Sequence, residues 1–323
     1  MTNWKTILKY DPIGPLIQSN NEAIAFFAKR DLQKKENLIP TSLWNLPWVT
    51  KIVAKQNSDG SWKYPGANKL VRSQENYDQM ETFRNLGYLV EMAGFNKSCP
   101  EIRKAANFLF KFQTDSGDIR GILGNQYSPY YTAAMMELLI KAGYSHDRRI
   151  TKAFKWLESI RQDDGGWAIP FRTRGEKLEI ISSRRKPVEP DRSKPFSHLV
   201  TGVVLRAYAA HEDFRDTTIA REAGTLLLSH LFQRDNYPDR RGTQYWLGFT
   251  FPFWFTDLIS AMDSLSLLGF SKNEPKIKKA IGWFATHQQK YGLWNLKVLK
   301  NLEYNSNEWL SLAICRILQR LYS

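Results

Sequence analysis

Acidic and histidine side chains stand near the predicted starts of several apolar helices, and one acid lies inside an apolar run. Asp257 occurs within the segment FPFWFTDLISAM, where burial of an unpaired carboxylate is unfavourable. A buried carboxyl whose pKa is raised can act as a general acid. Pairing with a buried arginine or a free backbone amide explains the same residue equally well. Asp257 is therefore a catalytic candidate with a structural explanation beside it.

Three further side chains are candidates for acid–base chemistry. Asp78 and Glu81 fall in one predicted first helical turn, where two carboxyl groups of different burial could serve as acid and base. Acidic residues also favour first turns because they cap the helix and interact with its dipole. His198 precedes a long apolar run, and a single histidine at such a place is more often a satisfied structural group.

Aromatic and basic side chains near the same helix starts could bind a ligand. Aromatic rings stabilise a carbocation through cation–π contacts, and arginines pair with a diphosphate. Plain core packing and a solvated loop explain the same residue types. The predicted ligand-binding residues are Tyr77, Arg84, Tyr127, Tyr130, Tyr131, Trp246, Trp254, Trp309, Arg184 and Arg185.

A repeated turn positions these candidates. The sequence QDDGGW at 162–167 ends an amphipathic run, and variants of it occur at 56–62, 113–117, 233–237 and 289–294. The glycine supplies the left-handed residue that ends a helix, and the tryptophan fills the seam between neighbouring helix pairs. Copies at a regular interval of roughly 50–70 residues indicate a repeat architecture.

A second turn alternates with the first and completes the unit. Gly94, Gly143 and Gly269 are each followed by an aromatic residue, which is the pattern of a Schellman helix stop. Helices after the glutamine turns are apolar all round, whereas those before them carry a charged face, so we expect an inner and an outer layer. The sequence thus predicts six inner and five outer helices, which could close into a ring or continue as an open solenoid. Roughly six hairpins without a polar capping repeat favour closure into an α/α toroid.

The predicted domain organisation is a single domain over residues 1–323. Residues 1–40 form a helical lead-in that is broken at Asp11-Pro12 and Gly14-Pro15, and residues 42–323 hold the helical hairpins. Within the lead-in, residues 21–33 are counted as the first inner helix. The fifth inner helix is predicted to begin at Phe253.

The long loops of this arrangement predict the functional end. They connect outer to inner helices at 63–76, 115–127, 168–195 and 234–251, and they carry much of the excess positive charge. Because the inner helices are parallel, their positive dipole ends share this rim and favour an anion there. Long loops on one rim of a rigid scaffold usually carry function.

Composition limits the partners. The chain has 323 residues and a net charge of +14, which is compatible with nucleic acid, an anionic lipid surface or a phosphorylated substrate. No nucleic-acid-binding motif is present, so we expect no nucleic-acid partner, while peripheral contact with an anionic membrane remains open. The first residues lack an apolar leader and no apolar run could span a membrane, which predicts a cytoplasmic protein. Cys99 and Cys315 form no metal motif, and we expect no cofactor.

The turns resemble the glutamine–tryptophan (QW) repeats of triterpene cyclases and the related repeats of protein prenyltransferase β subunits. The resemblance extends from about Ser42 to Ser323, and its strong copies are Gln56–Trp62, Gln162–Trp167 and Gln289–Trp294. The copies at 113–117 and 233–237 lack the terminal tryptophan. The resemblance implies an α/α toroid with a central apolar cavity, usually for an isoprenoid.

The chain departs from both families at the residues that carry their chemistry. Class II cyclases protonate an alkene with an aspartic acid of a D-x-D-D motif, and this motif is absent here. Prenyltransferases hold zinc through an Asp-x-Cys pair and a distant histidine. The segment 194–198 (KPFSH) is faintly similar to the histidine segment, but no Asp-x-Cys completes it. The resemblance therefore implies no metal site.

Three functions follow from these observations. The first is an isoprenoid-binding toroid whose ligand is a small apolar or amphiphilic molecule, with a prenyl diphosphate among the candidates, and which transforms it or only binds it. The second is an (α/α) polysaccharide lyase or glycoside hydrolase, favoured by carboxylates that face each other across a wet groove. The third is a non-catalytic lipid-binding scaffold.

Overall fold

The structure is a computed structural model that describes residues 4–35, 37–66, 73–299 and 305–323. Throughout these ranges the regular structure is helical, and β-pairing is limited to three isolated bridges. Eleven helices of the described chain build the two layers. They are α1 (Glu22–Leu32), α2 (Pro47–Val53), α3 (Gln74–Ala93), α4 (Pro100–Phe110), α5 (Pro129–Leu139), α6 (Arg148–Ser159), α7 (His198–Ala210), α8 (Thr218–His230), α9 (Leu258–Leu267), α10 (Pro275–His287) and α11 (Ser306–Tyr322).

The six odd-numbered helices form a closed ring. Each packs against the next odd-numbered helix along the chain, and the last of them, α11, returns to pack against α1. The even-numbered helices lie outside, and each contacts at least one of the two inner helices that flank it in sequence. The predicted α/α toroid, with six inner and five outer helices, is confirmed.

Burial explains which helices are inner. Twelve of the thirteen residues of α7 are buried, whereas only five of the thirteen residues of α8 are buried. A helix that is apolar all round can be covered on every side, whereas one with a charged face must keep that face in water. The layer of a helix therefore follows from its own sequence.

The glutamines of the first two turns join neighbouring outer helices. Gln56 Nε2 donates to Gly60 O and to Glu101 O in the first turn of α4, at 3.0 and 2.9 Å. Gln113 Nε2 repeats this with Gly117 O and with Arg149 O of α6. The side chain thus ties a helix end to the beginning of the next outer helix.

The tryptophan of each turn is fixed from both sides. Trp62, Trp167 and Trp294 each donate their indole N–H to the carbonyl ten residues earlier, at 2.7 Å. Their backbone N–H groups donate to a threonine or serine hydroxyl of the following inner helix. Each ring therefore packs in a fixed position between an outer and an inner helix.

Four details of the sequence prediction were wrong or incomplete. Gln288, not Gln289, makes the turn contacts of the fifth copy, with Gly292 O and Tyr10 O. The fifth inner helix begins at Leu258 because Asp257 caps it, so residues from Phe253 onward lie in the preceding loop. The lead-in is not broken at Gly14-Pro15, since a short helix runs from Ile13 to Ile17. The fourth turn has a tryptophan after all, because Trp246 donates its indole N–H to Gln233 O.

Two of the long loops pack against each other as a small second core. Leu123, Phe171, Ile181 and Val188 form a buried cluster separate from the main one. Asn125 and Gln126 donate side-chain hydrogen bonds to carbonyls of the 181–186 segment. These loops are therefore ordered parts of the rim. None of the described helices combines the length and apolarity that crossing a bilayer requires.

Candidate active site

The segment 249–257 lies inside the ring of inner helices. Phe251 stacks on Trp309 of α11 with ring centroids 5.2 Å apart, and Thr256 Oγ1 donates to Leu199 O of α7 at 2.6 Å. Tyr130 of α5 donates its hydroxyl hydrogen to Trp254 O. Because one segment reaches three different inner helices, it fills the centre of the toroid at the end where these helices begin.

Asp257 ends this segment and caps α9. Its Oδ1 accepts the Ser260 N–H at 2.8 Å, and its own N–H donates to Ser260 Oγ at 2.9 Å, which is a reciprocal capping box. The residue is fully buried. Its Oδ2 atom has no hydrogen-bond partner among the described residues.

The pKa of Asp257 is strongly perturbed. Burial raises it from 3.8 to about 7, against the opposing effects of the Ser260 amide and hydroxyl, the Ile259 amide and Arg206. Burial prevails because a carboxylate taken out of water loses more solvation than these groups return. A substantial fraction of this carboxyl is therefore a neutral acid near pH 7.

Two arginines face this carboxyl from different elements. Arg206 of α7 donates Nε–H to Glu137 Oε2 at 2.8 Å and Nη1–H to Phe255 O at 3.3 Å, and its Nη2 has no partner among the described residues. Arg240 holds its guanidinium over the rings of Phe255 and Tyr245. Burial lowers the pKa of Arg240, whereas the charge of Asp257 raises it.

Aromatic rings surround the same place. Trp254 packs edge-on against Phe83 of α3, with ring centroids 5.2 Å apart, and more distantly against Tyr88. Tyr130 is in edge contact with Tyr131. A neutral acid, two cations and a set of aromatic faces thus meet where the inner helices begin.

A chain of ion pairs leads from this place along the ring interior. Glu137 of α5 accepts from Arg206 and from Lys141, at 2.8 Å in each case, and Lys141 also pairs with Glu91 of α3. Burial lowers the pKa of Lys141, but Glu137 and Glu91 raise it further, so the net shift is upward and the amine stays charged. Two cations and two anions alternate in this chain.

His198 is not part of this group. Its Nδ1 lies 3.4 Å from Asp235 Oδ2, and its ring stacks on Trp246. Asp235 Oδ2 also accepts from Ser197 Oγ and Leu199 N, which joins the fourth turn to the start of α7. Burial lowers the pKa of His198 to about 4 although Asp235 raises it, so the imidazole is neutral. These contacts are those of a structural histidine.

The predicted carboxyl pair is engaged by neighbouring groups. Asp78 Oδ1 accepts from Tyr64 N and Gln74 Nε2, at 2.7 and 2.6 Å. Glu81 pairs with Arg84 and accepts from Asn85 Nδ2. Tyr77, from the same turn, stacks on Tyr64. These contacts hold the 62–64 segment and α3 together, and the two acids are not brought to Asp257.

The predicted ligand-binding arginines and the remaining aromatic candidates also lie apart from the group around Asp257. Arg184 pairs with Glu176 at 2.6 Å, and Arg185 is exposed. Tyr127 donates to Glu189 Oε2 at 2.7 Å. Tyr127 and Tyr131 line a cavity of about 180 Å³ under the long loops, together with Ile169 and Phe171. That volume is below the roughly 300–1,000 Å³ of most ligand pockets.

Some residues of the central group were not singled out from the sequence. Arg206 and Glu137 each stand alone in apolar helices, which is the same signal that drew attention to Asp257. For Arg240, the sequence indicates only that it belongs to the basic loop 234–251. Within the described ranges, no three His, Cys, Asp or Glu side chains come together as metal ligands.

Comparison with known proteins connects part of the chain to one enzyme family. Residues 79–176 match the model of the squalene-hopene cyclase C-terminal domain. A squalene–hopene cyclase from Zymomonas mobilis is 34% identical over 80 residues, which is 24% of this chain and 12% of that protein. The matched segment includes Tyr130 and Glu137 and ends before Arg206 and Asp257.

Two solved structures are similar at low identity. A protein from Actinoplanes has 15% identity and a TM-score of 0.43, with 96% of this chain and 88% of that chain covered. The type II terpene cyclase MstE from Scytonema has 14% identity and a TM-score of 0.36, with 87% and 98% covered. Scores this low add nothing to what the closed ring of helices already shows.

Proposed function

We propose that this terpenoid-cyclase-like toroid binds an isoprenoid at the centre of its ring and that Asp257 donates a proton to one of its double bonds. The observation that carries the proposal is the Asp257 carboxyl itself. It is fully buried, one oxygen is held by the Ser260 amide, the other has no partner among the described residues, and its pKa is about 7. The match to squalene-hopene cyclase supports the substrate class.

The surroundings suit both products of such a proton transfer. The π electrons of the double bond form a new C–H bond with the acidic hydrogen of Asp257, which leaves a carbocation on the ligand and a carboxylate on the protein. Arg206 and Arg240 stabilise that carboxylate, because both interact with it electrostatically. The faces of Trp254, Phe255 and Phe83 supply cation–π contacts to the ligand.

Binding at this place requires the segment around Trp254 to move. Its carbonyls accept hydrogen bonds from Tyr130, Arg206 and Ser260, and its Thr256 hydroxyl donates one to Leu199 O. Hydrogen bonds of this kind contribute about 1 kcal/mol each to stability, so a ligand that buries a long apolar chain can displace them. The side chain of Trp254 is only partly buried, in contrast to Phe249 and Phe251, and so it is the natural reporter of binding.

A fluorescence titration tests ligand binding. Geranylgeraniol and geranylgeranyl diphosphate are added to the protein at low and at high salt, and tryptophan emission is followed. We expect saturable quenching by both ligands and a smaller change in Trp254→Phe. Tighter, salt-sensitive binding of the diphosphate supports an anionic head group near the basic rim. Absence of saturable quenching by either ligand contradicts the proposal.

Product analysis tests the role of Asp257. The wild type, Asp257→Asn and the exposed control Asp216→Asn are incubated with each ligand, and the extracts are analysed by mass spectrometry. We expect a cyclised or isomerised product from the wild type and Asp216→Asn but not from Asp257→Asn, whose ligand affinity is retained. Binding without any product from the wild type assigns the protein to the non-catalytic scaffold class instead.

A further inference from the structure

A second site lies at the opposite end of the toroid, where the inner helices end. A cavity of about 870 Å³ is bounded there by the last turns of α1, α3 and α11 and by the turns that follow α3 and α5. This volume falls within the roughly 300–1,000 Å³ that is typical of small-molecule sites. Asp257, Arg206 and Arg240 do not line it, and only the far end of the ion-pair chain, Lys141 and Glu91, reaches it.

Cationic side chains dominate the lining of this cavity. Five of them meet there against two carboxylates, Asp31 and Glu91. The five are Arg30, Lys34, Lys141, Arg316 and Arg320. The apolar part of the cavity wall includes Phe27, Val90 and Phe95. The lining therefore combines positive charge with an apolar surface.

The two arginines nearest Asp31 have more donors than this one carboxylate engages. Arg30 donates Nε–H to Asp31 Oδ1 at 2.6 Å, and Arg316 donates Nε–H to Asp31 Oδ2 at 2.8 Å. Both guanidinium groups lie over the ring of Phe27, at 4.5 and 5.6 Å from its centroid. A carboxylate and a buried ring thus hold two cations side by side, with one negative charge between them.

The other cations of the cavity are more nearly balanced. Arg320 pairs with Asp263 and donates to Ser266 Oγ at 3.0 Å. Lys141 pairs with Glu91 and Glu137. Lys34 is exposed just beyond the end of α1 and adds a further positive charge. Cations also interact favourably with helix C-termini, which accounts for some of these positions but not for a hollow of ligand size between them.

We propose that this cavity binds a small soluble polyanion of the phosphate or diphosphate class, with Arg30 and Arg316 as its principal ligands and Arg320 and Lys34 beside them. Paired guanidinium groups present parallel N–H donors that match phosphate oxygens. The shared Asp31 carboxylate keeps the two cations in place before the anion arrives. This binding does not depend on proton donation by Asp257.

Calorimetric titration with inorganic pyrophosphate tests the proposal. We expect saturable binding to the wild type that weakens with added salt. Arg316→Gln should weaken it about tenfold, which is the usual consequence of removing one charge-assisted hydrogen-bonding group. Arg149→Gln is the matched control, because Arg149 pairs with Asp147 and lies over the Phe110 ring but does not line this cavity. Equal weakening by both variants contradicts the site.

Three further measurements test the proposal independently of Arg316. Lys34→Gln changes an exposed side chain outside the helix, so it should fold normally and weaken pyrophosphate binding two- to threefold, as expected for one screened surface charge. Co-sedimentation with phosphatidic-acid vesicles tests a lipid head group as the source of the phosphate. Vesicle binding that pyrophosphate does not compete away overturns the proposal of a soluble ligand. Asp257→Asn should leave pyrophosphate affinity unchanged, which separates this site from the proposed reaction.

Discussion

The two oxygens of the Asp257 carboxyl have different surroundings. Oδ1 accepts an amide at the start of α9, as the side chain of an N-cap does, while Oδ2 has no partner among the described residues and is the oxygen that would carry the proton in the proposed function. The sequence alone left two explanations open, catalysis or pairing with an arginine or amide. The structure shows that the amide contact is real, that Arg206 and Arg240 interact with the same carboxyl, and that burial still prevails in its pKa.

Replacement of Asp257 by asparagine should change the pH dependence of stability. The pKa of Asp257 is about 7 in the folded protein, whereas an aspartate side chain exposed to water has a pKa of 3.8. The folded state therefore binds this proton more tightly than the unfolded state. The free energy of unfolding therefore decreases as pH rises from about 4 to about 7 and is constant above that. The total decrease from this group is on the order of 4 kcal/mol.

Asparagine keeps the helix cap and carries no charge, so Asp257→Asn should lose this pH dependence. Urea unfolding at pH 5 and pH 8 measures the effect, with the exposed Asp216→Asn as control. We expect the variant to be more stable than the wild type at pH 8 and closer to it at pH 5. The same pH slope in wild type and variant would show that the Asp257 carboxyl is not perturbed.

The residues of the central group differ in how well the sequence reveals them. Arg206 and Glu137 are single charges in otherwise apolar helices, and their mutual pair at 2.8 Å satisfies the rule that buried charges are paired. A search for such isolated charges finds both. Arg240 cannot be found in this way. It lies in a loop and itself adopts a left-handed backbone conformation (φ 51°), and its position depends on a ring of helices that are distant in sequence.

At the scale of elements, the segment 249–257 fits inside the ring because two inner helices carry a glycine at the point where the segment passes them. A Cβ atom on Gly202 of α7 would lie 2.4 Å from side-chain atoms of Thr256. A Cβ on Gly87 of α3 would lie 3.8 Å from Pro252 and 3.5 Å from Leu138, which are ordinary contacts. The two glycines thus differ in how closely the segment approaches them.

Alanine at these two positions should have opposite effects. Gly202→Ala forces Thr256 away from Leu199 and should lower the free energy of unfolding by about 1–3 kcal/mol. Gly87→Ala should be neutral or stabilising by up to about 1 kcal/mol, because alanine favours the helix. Denaturant unfolding of both variants measures the difference. Equal destabilisation would mean that the segment does not pack against α7 as described.

The glutamine turns show why local patterns predicted elements better than exact residues. Gln288 and Gln289 are adjacent, and only the register at the end of α10 decides which side chain reaches Tyr10 O. Trp246 lies thirteen residues after Gln233, so a pattern with fixed spacing misses it although its indole makes the expected contact. Loop length varies between copies, whereas an indole N–H bond to a carbonyl at or near the end of the outer helix recurs in four of them.

At the scale of the molecule, closure of the ring depends on an aromatic stack between its first and last helices. Trp309 of α11 is fully buried and lies between Phe27 of α1 and Phe251, with its ring nearly parallel to that of Phe251. Its indole nitrogen has no hydrogen-bond partner among the described residues. Its contribution to stability is therefore one of packing.

Removal of this ring should destabilise the toroid as a whole. Trp309→Ala should lower the free energy of unfolding by about 3–5 kcal/mol, whereas Trp309→Phe, which keeps an aromatic ring at the site, should have a markedly smaller effect. Because each inner helix packs against two others, circular dichroism and tryptophan fluorescence should report one coincident unfolding transition in the wild type and in Trp309→Phe. Separate transitions in the wild type would contradict cooperative closure.

Hydrophobic patterning predicted the two layers but not the interior of the ring. Apolar helices alternate with amphipathic ones along the chain, and this assigns them to layers without any knowledge of contacts. Which loop enters the ring depends on contacts such as those of Thr256 with α7 and Phe251 with α11, which no local pattern contains. For the same reason, the charged cavity between α1 and α11 joins residues from the two ends of the sequence.

Ring closure between α1 and α11 also has a consequence for biosynthesis. These helices are about 270 residues apart in sequence, so ribosomes that add roughly 5–20 residues per second make them about 15–50 s apart. Throughout that interval Phe27 and the apolar face of α1 lack the helix that covers them. The nascent chain therefore exposes this open edge of the ring until α11 emerges, which makes the interval before closure the time at which it is most prone to aggregate.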